Sequence, residues 1–128
     1  MKEFDRLFGT HESWYERLLT AKKYAEKLGI IIVLKNQYTF ICNQDGKVYV
    51  NSTGNPAMSQ GGMGDALSGC ITAFLARGLQ PLEAAILGCY SHGFSGDLLA
   101  KDNEIVTASL LINNLPKTLR LINDKNLI

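Results

Sequence analysis

The stretch Ser59-Gln60-Gly61-Gly62-Met63-Gly64-Asp65 carries the strongest chemical signal in the chain. Gly61, Gly62 and Gly64 are unsuited to a helix interior or a strand, whereas the apolar run that follows, residues 66–71, makes a good helix. The pattern predicts a glycine-rich loop feeding a helix N-terminus. Free backbone N–H groups and the helix dipole at such a junction attract an anion. Glycine lets a phosphate approach the backbone with no Cβ in the way. Asp65 sits at the junction, and spacing leaves two roles open for it. It is either a helix N-cap or a carboxylate base held beside a bound phosphate.

Other polar residues have weaker claims. The loop 51–60 carries Asn51, Thr53 and Asn55, which can hydrogen-bond a sugar or an amide; loop asparagines also serve as turn formers. Lys35 stands at a strand end, with Thr39 four residues on. Glu3 falls in the first turn of a short helix, where a carboxylate favours the dipole. His92 reads as a structural, hydrogen-bonded histidine, and Asp97 as a residue with a local structural task. Cys42, Cys70 and Cys89 share no metal-ligand spacing. Their odd number and apolar settings predict buried free thiols in a reducing cytoplasm.

These residues need positioning elements. Residues 1–9 predict a helical turn closed by Gly9, with Phe4, Leu7 and Phe8 on one face. Residues 13–28 predict an amphipathic helix with a Ser13/Glu16 capping box, a Gly29 stop and a solvated face that includes Arg17. The β-branched run 30–34 predicts a strand buried on both faces, as in a parallel sheet. Residues 38–42 and 47–50 predict a hairpin about Asp45-Gly46. Residues 66–77 predict a central helix, apolar nearly all round, whose stripe of Ala66, Gly69, Ala73 and Ala76 packs closely. Pro81 starts a helix to about residue 100. Its Gly88, Gly93 and Gly96 call for close packing against the preceding helix. Residues 105–115 predict a last helix stopped by Pro116, with a tail to residue 128 that continues helically and frays.

Bulk properties narrow the class. The chain has 128 residues, 46% hydrophobic and 20% charged, with a net charge of +1. That describes at most one ordinary globular domain. The charge gives no reason to expect nucleic acid or an acidic membrane as partner. No apolar run is long enough to span a bilayer, and no signal-peptide pattern opens the chain. A cytoplasmic location is expected.

The run Asn51-Ser52-Thr53-Gly54-Asn55-Pro56-Ala57-Met58-Ser59-Gln60-Gly61-Gly62-Met63-Gly64-Asp65-Ala66-Leu67-Ser68-Gly69 resembles the signature of the NAD(P)HX dehydratase family. That family is the YjeF-related, carbohydrate-kinase-like branch of the ribokinase-like fold. Further matches lie, in order, at Glu3-Phe4, at Val33-Leu34-Lys35 with Thr39, and at Gly88-Cys89-Tyr90-Ser91-His92-Gly93 with Gly96-Asp97. The resemblance implies ADP- or ATP-dependent dehydration of NADHX and NADPHX, a carbon–oxygen lyase reaction. It implies a nucleotide phosphate on Gly61, Gly62 and Gly64, Asp65 as the base on the substrate hydroxyl, and Asn55 beside the substrate. It implies Lys35 and Thr39 as nucleotide contacts, and Mg²⁺ on the phosphates with Glu3 nearby. Asn36 stands where the family has a glycine; asparagine tolerates positive φ better than most residues. Two other functions fit the same loop: a kinase of a small alcohol such as a sugar or vitamin precursor, and a non-catalytic nucleotide-binding or assembly fragment.

The resembling domain is about twice this length. Residues 30–34 need sheet neighbours on both sides, and the hairpin supplies one. The expectation is therefore an α/β chain, residues 1–128, forming the C-terminal half of a ribokinase-like domain. It would hold a few-stranded sheet with a β-hairpin packed by helices. An open sheet edge predicts homo-oligomerisation, and the isolated chain is expected to be inactive or nearly so.

Overall fold

The computed structural model describes residues 2–125. The elements run α1 (Lys2–Phe8), α2 (Trp14–Leu28), β1 (Ile32–Leu34), β2 (Thr39–Cys42), β3 (Val48–Asn51), a 3-10 turn (Pro56–Met58), α3 (Met63–Ala76), α4 (Pro81–Leu99) and α5 (Ala108–Asp124). The chain divides between Asn51 and Ser52 into two compact units. No helix among the described residues is long and apolar enough to cross a membrane.

In the first unit α2 lies on a three-stranded antiparallel sheet of order β1-β2-β3. Ser13 Oγ accepts the Glu16 N–H at 3.1 Å, while the Glu16 carboxylate reaches back to the Glu12 N–H at 2.8 Å. The return arm of the expected box thus lands one residue early. Ala21 and Ala25 are fully buried against Leu34 and Cys42, with Leu18, Phe40 and Val48 around them. Two alanines one turn apart let the helix settle close to the sheet. The hairpin is as the Asp-Gly signal predicts. Gly46 takes φ 75, and Asn43 Oδ1 accepts the N–H groups of Asp45 and Lys47 at 3.0 and 2.9 Å.

Three expectations for this unit are corrected. The run 30–34 is not a full strand in a parallel sheet. β1 has only three residues and an antiparallel neighbour, Val33 facing Ile41. The Ile30 N–H is held by the Ala25 carbonyl at 3.1 Å as part of the helix ending at Gly29, so the strand cannot begin there. Leu7 does not share a packed face with Phe4 and Phe8. It is 77% exposed, whereas Phe8 sits between Phe4 and Tyr24 with ring centroids at 4.7 and 4.5 Å. Arg17 is not part of a solvated face. Its Nε and Nη2 donate to the two carboxylate oxygens of Asp5 at 2.9 and 2.8 Å. His11 Nδ1 joins at 2.9 Å from Asp5 Oδ1, and its Nε2 lies 2.9 Å from Thr20 Oγ1. This clasp ties α1 to α2.

The second unit is three helices with α4 at the centre, where Ala84, Gly88, Cys89, Ser91, Gly93, Ser95 and Gly96 are buried. The sequence pattern predicts α3 as the enclosed helix; the structure gives that place to α4. α3 packs through Ala66, Leu67, Cys70 and Phe74, and its Gly69, Ala73 and Ala76 stay exposed. The reason is area: the larger side chains bury more apolar surface than a Gly/Ala stripe can. Gly88 does pack against α3 as expected, since a Cβ there would lie 3.1 Å from Ile71 Cα.

Pro116 does not stop the last helix, which begins at the Thr107 cap and runs through the proline. Proline leaves the Ile112 carbonyl without its helical donor, at a cost of about 3 kcal/mol. Ile112 is at the surface, where water can substitute. Leu111, Thr118 and Ile122 continue the buried face across the proline. Asn114 Nδ2 donates to Ser95 Oγ at 3.1 Å, which fastens α5 to α4, and to Thr118 Oγ1 at 3.2 Å within α5. The tail is helical to Asp124; the fraying expected near residue 128 lies outside the described residues.

The clasp sets a pH dependence. The hydrogen bond from Arg17, then that from His11, lowers the Asp5 pKa to about 2. The unfolded value is about 3.9. A depressed carboxylate stabilises the fold fully above about pH 4 and loses that contribution as pH falls through about 2. Thermal unfolding followed by circular dichroism from pH 6 to pH 2 should show a steeper fall in Tm for the native chain than for Asp5→Asn. Parallel curves would contradict the clasp.

Candidate functional site

Helix α3 opens at Gly62, which takes φ 84 and gives no side-chain cap. The first ladder bond runs from the Ala66 N–H to the Gly62 carbonyl at 3.0 Å. The N–H groups of Met63, Gly64 and Asp65 therefore lie ahead of the ladder at the helix end. The helix starts at Met63, three residues before the predicted Ala66, because Gly62 alone supplies the left-handed entry. Asp65 is consequently the third helical residue and not the N-cap. Its carboxylate is exposed in the first turn, where it interacts favourably with the dipole. Of the two roles its spacing allows, the capping one is excluded.

The loop before this helix is held by α4. Gly54 N–H donates to Asp97 Oδ2 at 3.0 Å, and Asn55 Nδ2 donates to Asp97 Oδ1 at 2.8 Å. Asn55 Oδ1 in turn accepts the Ala57 N–H at 3.0 Å and caps the 3-10 turn. Close approach makes this possible. A Cβ at Gly93 would meet the Thr53 backbone carbon at 2.7 Å, and one at Gly96 would meet Met58 Cγ at 2.7 Å. Both distances are shorter than real contacts; at Gly93 the obstacle is backbone, so only glycine fits, whereas at Gly96 it is the flexible Met58 side chain. On the far side the Val106 N–H donates to the Ala57 carbonyl at 2.9 Å. Ala57, Met58 and Met63 then pack with Ala66, Val106 and Leu111. A fixed path leads from Asp97 through the loop and the 3-10 turn to the start of α3.

Asp97 was expected to act locally. It acts across 43 residues of sequence. Gly93 and Gly96, expected to pack against the preceding helix, instead face Thr53 and Met58 of the loop and the 3-10 turn; of the three glycines only Gly88 meets α3. No spacing rule reveals such a partnership; the only signal is the Gly-rich character of α4.

The structure brings Asn55, Gly61, Gly62, Gly64 and Asp65 together in the second unit, on consecutive segments. Asn55 is already engaged through both atoms of its side-chain amide. Glu3, Lys35 and Thr39 belong to the first unit. Glu3 is an exposed carboxylate in the first turn of α1, Lys35 follows β1 at the surface, and Thr39 opens β2 opposite Asn51. Among the described residues no group of three or more His, Cys, Asp or Glu side chains could hold a metal ion. The three cysteines are buried and form no disulfide, and burial pushes the Cys89 thiol up to about 12. A thiol so raised is not a nucleophile. His92 lies on α4, outside the glycine loop.

Comparison with known proteins bears on this arrangement. The family model described as NAD(P)H-hydrate dehydratase matches residues 1–117. The chain is 39% identical over 127 residues to the bifunctional NAD(P)H-hydrate repair enzyme Nnr of Moorella thermoacetica, covering 96% of this chain and 24% of that protein. It is 39% identical over 124 residues to the ADP-dependent (S)-NAD(P)H-hydrate dehydratase of Staphylococcus aureus, covering 94% of this chain and 43% of that protein. The structure is similar to that of the ADP/ATP-dependent NAD(P)H-hydrate dehydratase of Bacillus subtilis co-crystallised with ATP and Mg²⁺. There the TM-score is 0.85 at 33% identity, covering 93% of this chain and 44% of that one. The chain thus spans less than half the length of each of these relatives.

The anchoring role of Asp97 is open to direct measurement. Asp97→Ala removes the acceptor of two hydrogen bonds, worth about 2 kcal/mol locally. Amide exchange at Gly54 and Ala57 should accelerate by about tenfold or more while α3 and α4 keep their protection. Unchanged exchange at both amides would contradict the anchor.

Proposed function

Because this chain belongs to the NAD(P)H-hydrate dehydratase family, we propose that it carries the phosphate-binding and proton-accepting part of an ADP- or ATP-dependent repair of NADHX and NADPHX. The observation that carries this reading is the open end of α3. There the amides of Met63, Gly64 and Asp65 precede the helical ladder, beside an exposed carboxylate. A phosphate seated on those amides is held by N–H donors and the helix dipole together. Asp65 takes the proton of the substrate hydroxyl as that oxygen attacks the terminal phosphoryl group. The phosphorylated oxygen then departs as phosphate while the adjacent ring carbon loses a proton to solvent, and this elimination restores the dihydronicotinamide ring. Positioning and charge stabilisation account for most of such a transfer, and one carboxylate near the attacking oxygen suffices as base.

The remaining assignments follow the family resemblance. Lys35 and Thr39 contact the nucleotide, and Asn55, fixed by Asp97, lies toward the substrate. Mg²⁺ binds mainly phosphate oxygens and water with one or two carboxylates. Glu3, as an exposed carboxylate, suits that contribution, and the ion would neutralise charge on the phosphates. The buried thiols, none of them in a disulfide, fit a reducing, cytoplasmic setting. Since the relatives are more than twice as long, the activity belongs to this chain together with the portion of the domain it does not span.

Calorimetric titration with ADP and with ATP, each with Mg²⁺, tests the assignment. The native chain should bind, and Gly64→Val should abolish binding while keeping its helical content. Asp65→Asn should bind nucleotide normally. With the complementary portion of the domain supplied, it should lose at least about a hundredfold in NADHX repair. Equal binding by Gly64→Val would remove the phosphate from this loop, and full turnover by Asp65→Asn would remove the base. A stable phosphate ester of a small alcohol, formed without NADHX repair, would establish the kinase instead.

A further inference from the structure

Residues 54–62 form a short tether from α4 to the start of α3. At its upstream end, Gly54 and Asn55 are bound to Asp97 on α4. Midway, Ala57 is held from two sides, its N–H by Asn55 Oδ1 and its carbonyl by the Val106 N–H. The Ser59 N–H then bonds the Pro56 carbonyl at 3.0 Å, and the Gln60 N–H bonds the Met58 carbonyl at 2.8 Å. At the downstream end Gly62 lies against α5, where a Cβ would sit 3.3 Å from Ala108 Cβ. A tether so short and so tightly turned passes a displacement at Asn55 on to Gly62. The Asn55 amide is committed within it, Nδ2 to Asp97 and Oδ1 to Ala57, and both Asn55 and Asp97 are half-buried. Among the described residues no lysine or arginine is paired with Asp97.

We propose that Asp97 and Asn55 are a positioning pair for the anion site. They set the place of the amides of residues 63–65 through the backbone, and neither side chain acts by touching a ligand. The proposal rests on the reading of that site given above and deepens it, since it locates the part played by Asn55 in the tether. The polarity of the pair separates this role from a contact with substrate. A carboxylate offers acceptors only, whereas a carboxamide offers a donor and an acceptor. Three hydrogen bonds must be met: from the Gly54 N–H, from the Ala57 N–H and across the bridge between the two side chains. Asp97→Asn alone leaves one donor facing another, whichever way the two amides turn. Asn55→Asp alone sets two carboxylates against each other. Asp97→Asn combined with Asn55→Asp meets all three bonds again, with donor and acceptor exchanged across the bridge. Aspartate also serves as well as asparagine as a capping residue, and the exchange breaks no ion pair.

Amide spectra and calorimetry of the ¹⁵N-labelled full chain test this. Each single variant should displace or broaden the amide signals of residues 61–65 while the later turns of α3 and α4 keep theirs. Each should weaken the binding of ADP with Mg²⁺ by about tenfold or more. Asn55→Ser keeps a capping oxygen for Ala57 and drops only the bridge, so it should show the same loss with the fold intact. The double variant should return the signals to their native positions and the affinity to within about threefold of native. Native-like signals at residues 61–65 in all the single variants would overturn the proposal, and so would a double variant no better than the singles. Repair of NADHX, measured with the complementary portion of the domain supplied, gives the last arm. A double variant that binds ADP like the native chain but stays about a hundredfold down in repair would put the Asn55 amide on the substrate and overturn the positioning role. A native chain that binds no ADP would contradict the proposed function, while the signals of residues 61–65 would still decide the pair.

Discussion

A chain segment can lie against a helix at backbone distance only where that helix has no side chains. Gly93 gives α4 such a place under the Thr53 backbone, Gly96 leaves room for the Met58 side chain, and Asp97 adds the acceptor that holds the segment in place. The order of the second unit depends on this contact. It fixes residues 53–58, which fix the 3-10 turn, which delivers Gly62 to the start of α3. Each glycine inside α4 costs about 1 kcal/mol relative to alanine. The loop contacts and the close seat of Ile71 on Gly88 offset that cost. A helix that looks weak by propensity is therefore the one on which the unit is built.

The chemistry follows from the same geometry. An anion site at a helix end needs donors that no other group has claimed and an approach clear of side chains. In the proposed site Gly62, at φ 84, would supply the turn, Gly64 the clearance, and the amides of residues 63–65 the donors. Asp65 gains its exposure because it is the third helical residue and has no capping duty. An N-cap aspartate would spend its oxygens on the helix's own N–H groups.

Much of this was legible in the sequence, for identifiable reasons. The glycine loop, the Asp-Gly hairpin, the Ser13 and Gly29 ends of α2 and the Pro81 start of α4 are local signals, and the structure has them all. What was not legible depends on distant partners. Nothing near Asp97 announces Gly54 and Asn55. The Asp5–Arg17 clasp spans 12 residues and turns a surface-type charge into a tie between helices. Pro116 reads locally as a stop, and only the buried face on either side of it carries the helix through. The exchange of places between α3 and α4 has the same origin. An apolar pattern says that a helix wants cover, but not whether this chain supplies it.

That last point joins the fold to the function. β1 and β3 are the sheet's edge strands, each paired only with β2 among the described residues, and α3 keeps an apolar face at the surface. Both are properties of part of a larger layered fold, in keeping with relatives of which this chain spans less than half. The central claim remains the phosphate site at the start of α3. Backbone ¹⁵N–¹H shift mapping of the chain during addition of ADP and Mg²⁺ tests it most directly. The account predicts the largest shifts at the amides of Gly61, Gly62, Met63, Gly64 and Asp65, saturating at millimolar nucleotide. Shifts confined to other residues, or none at these five, would contradict it.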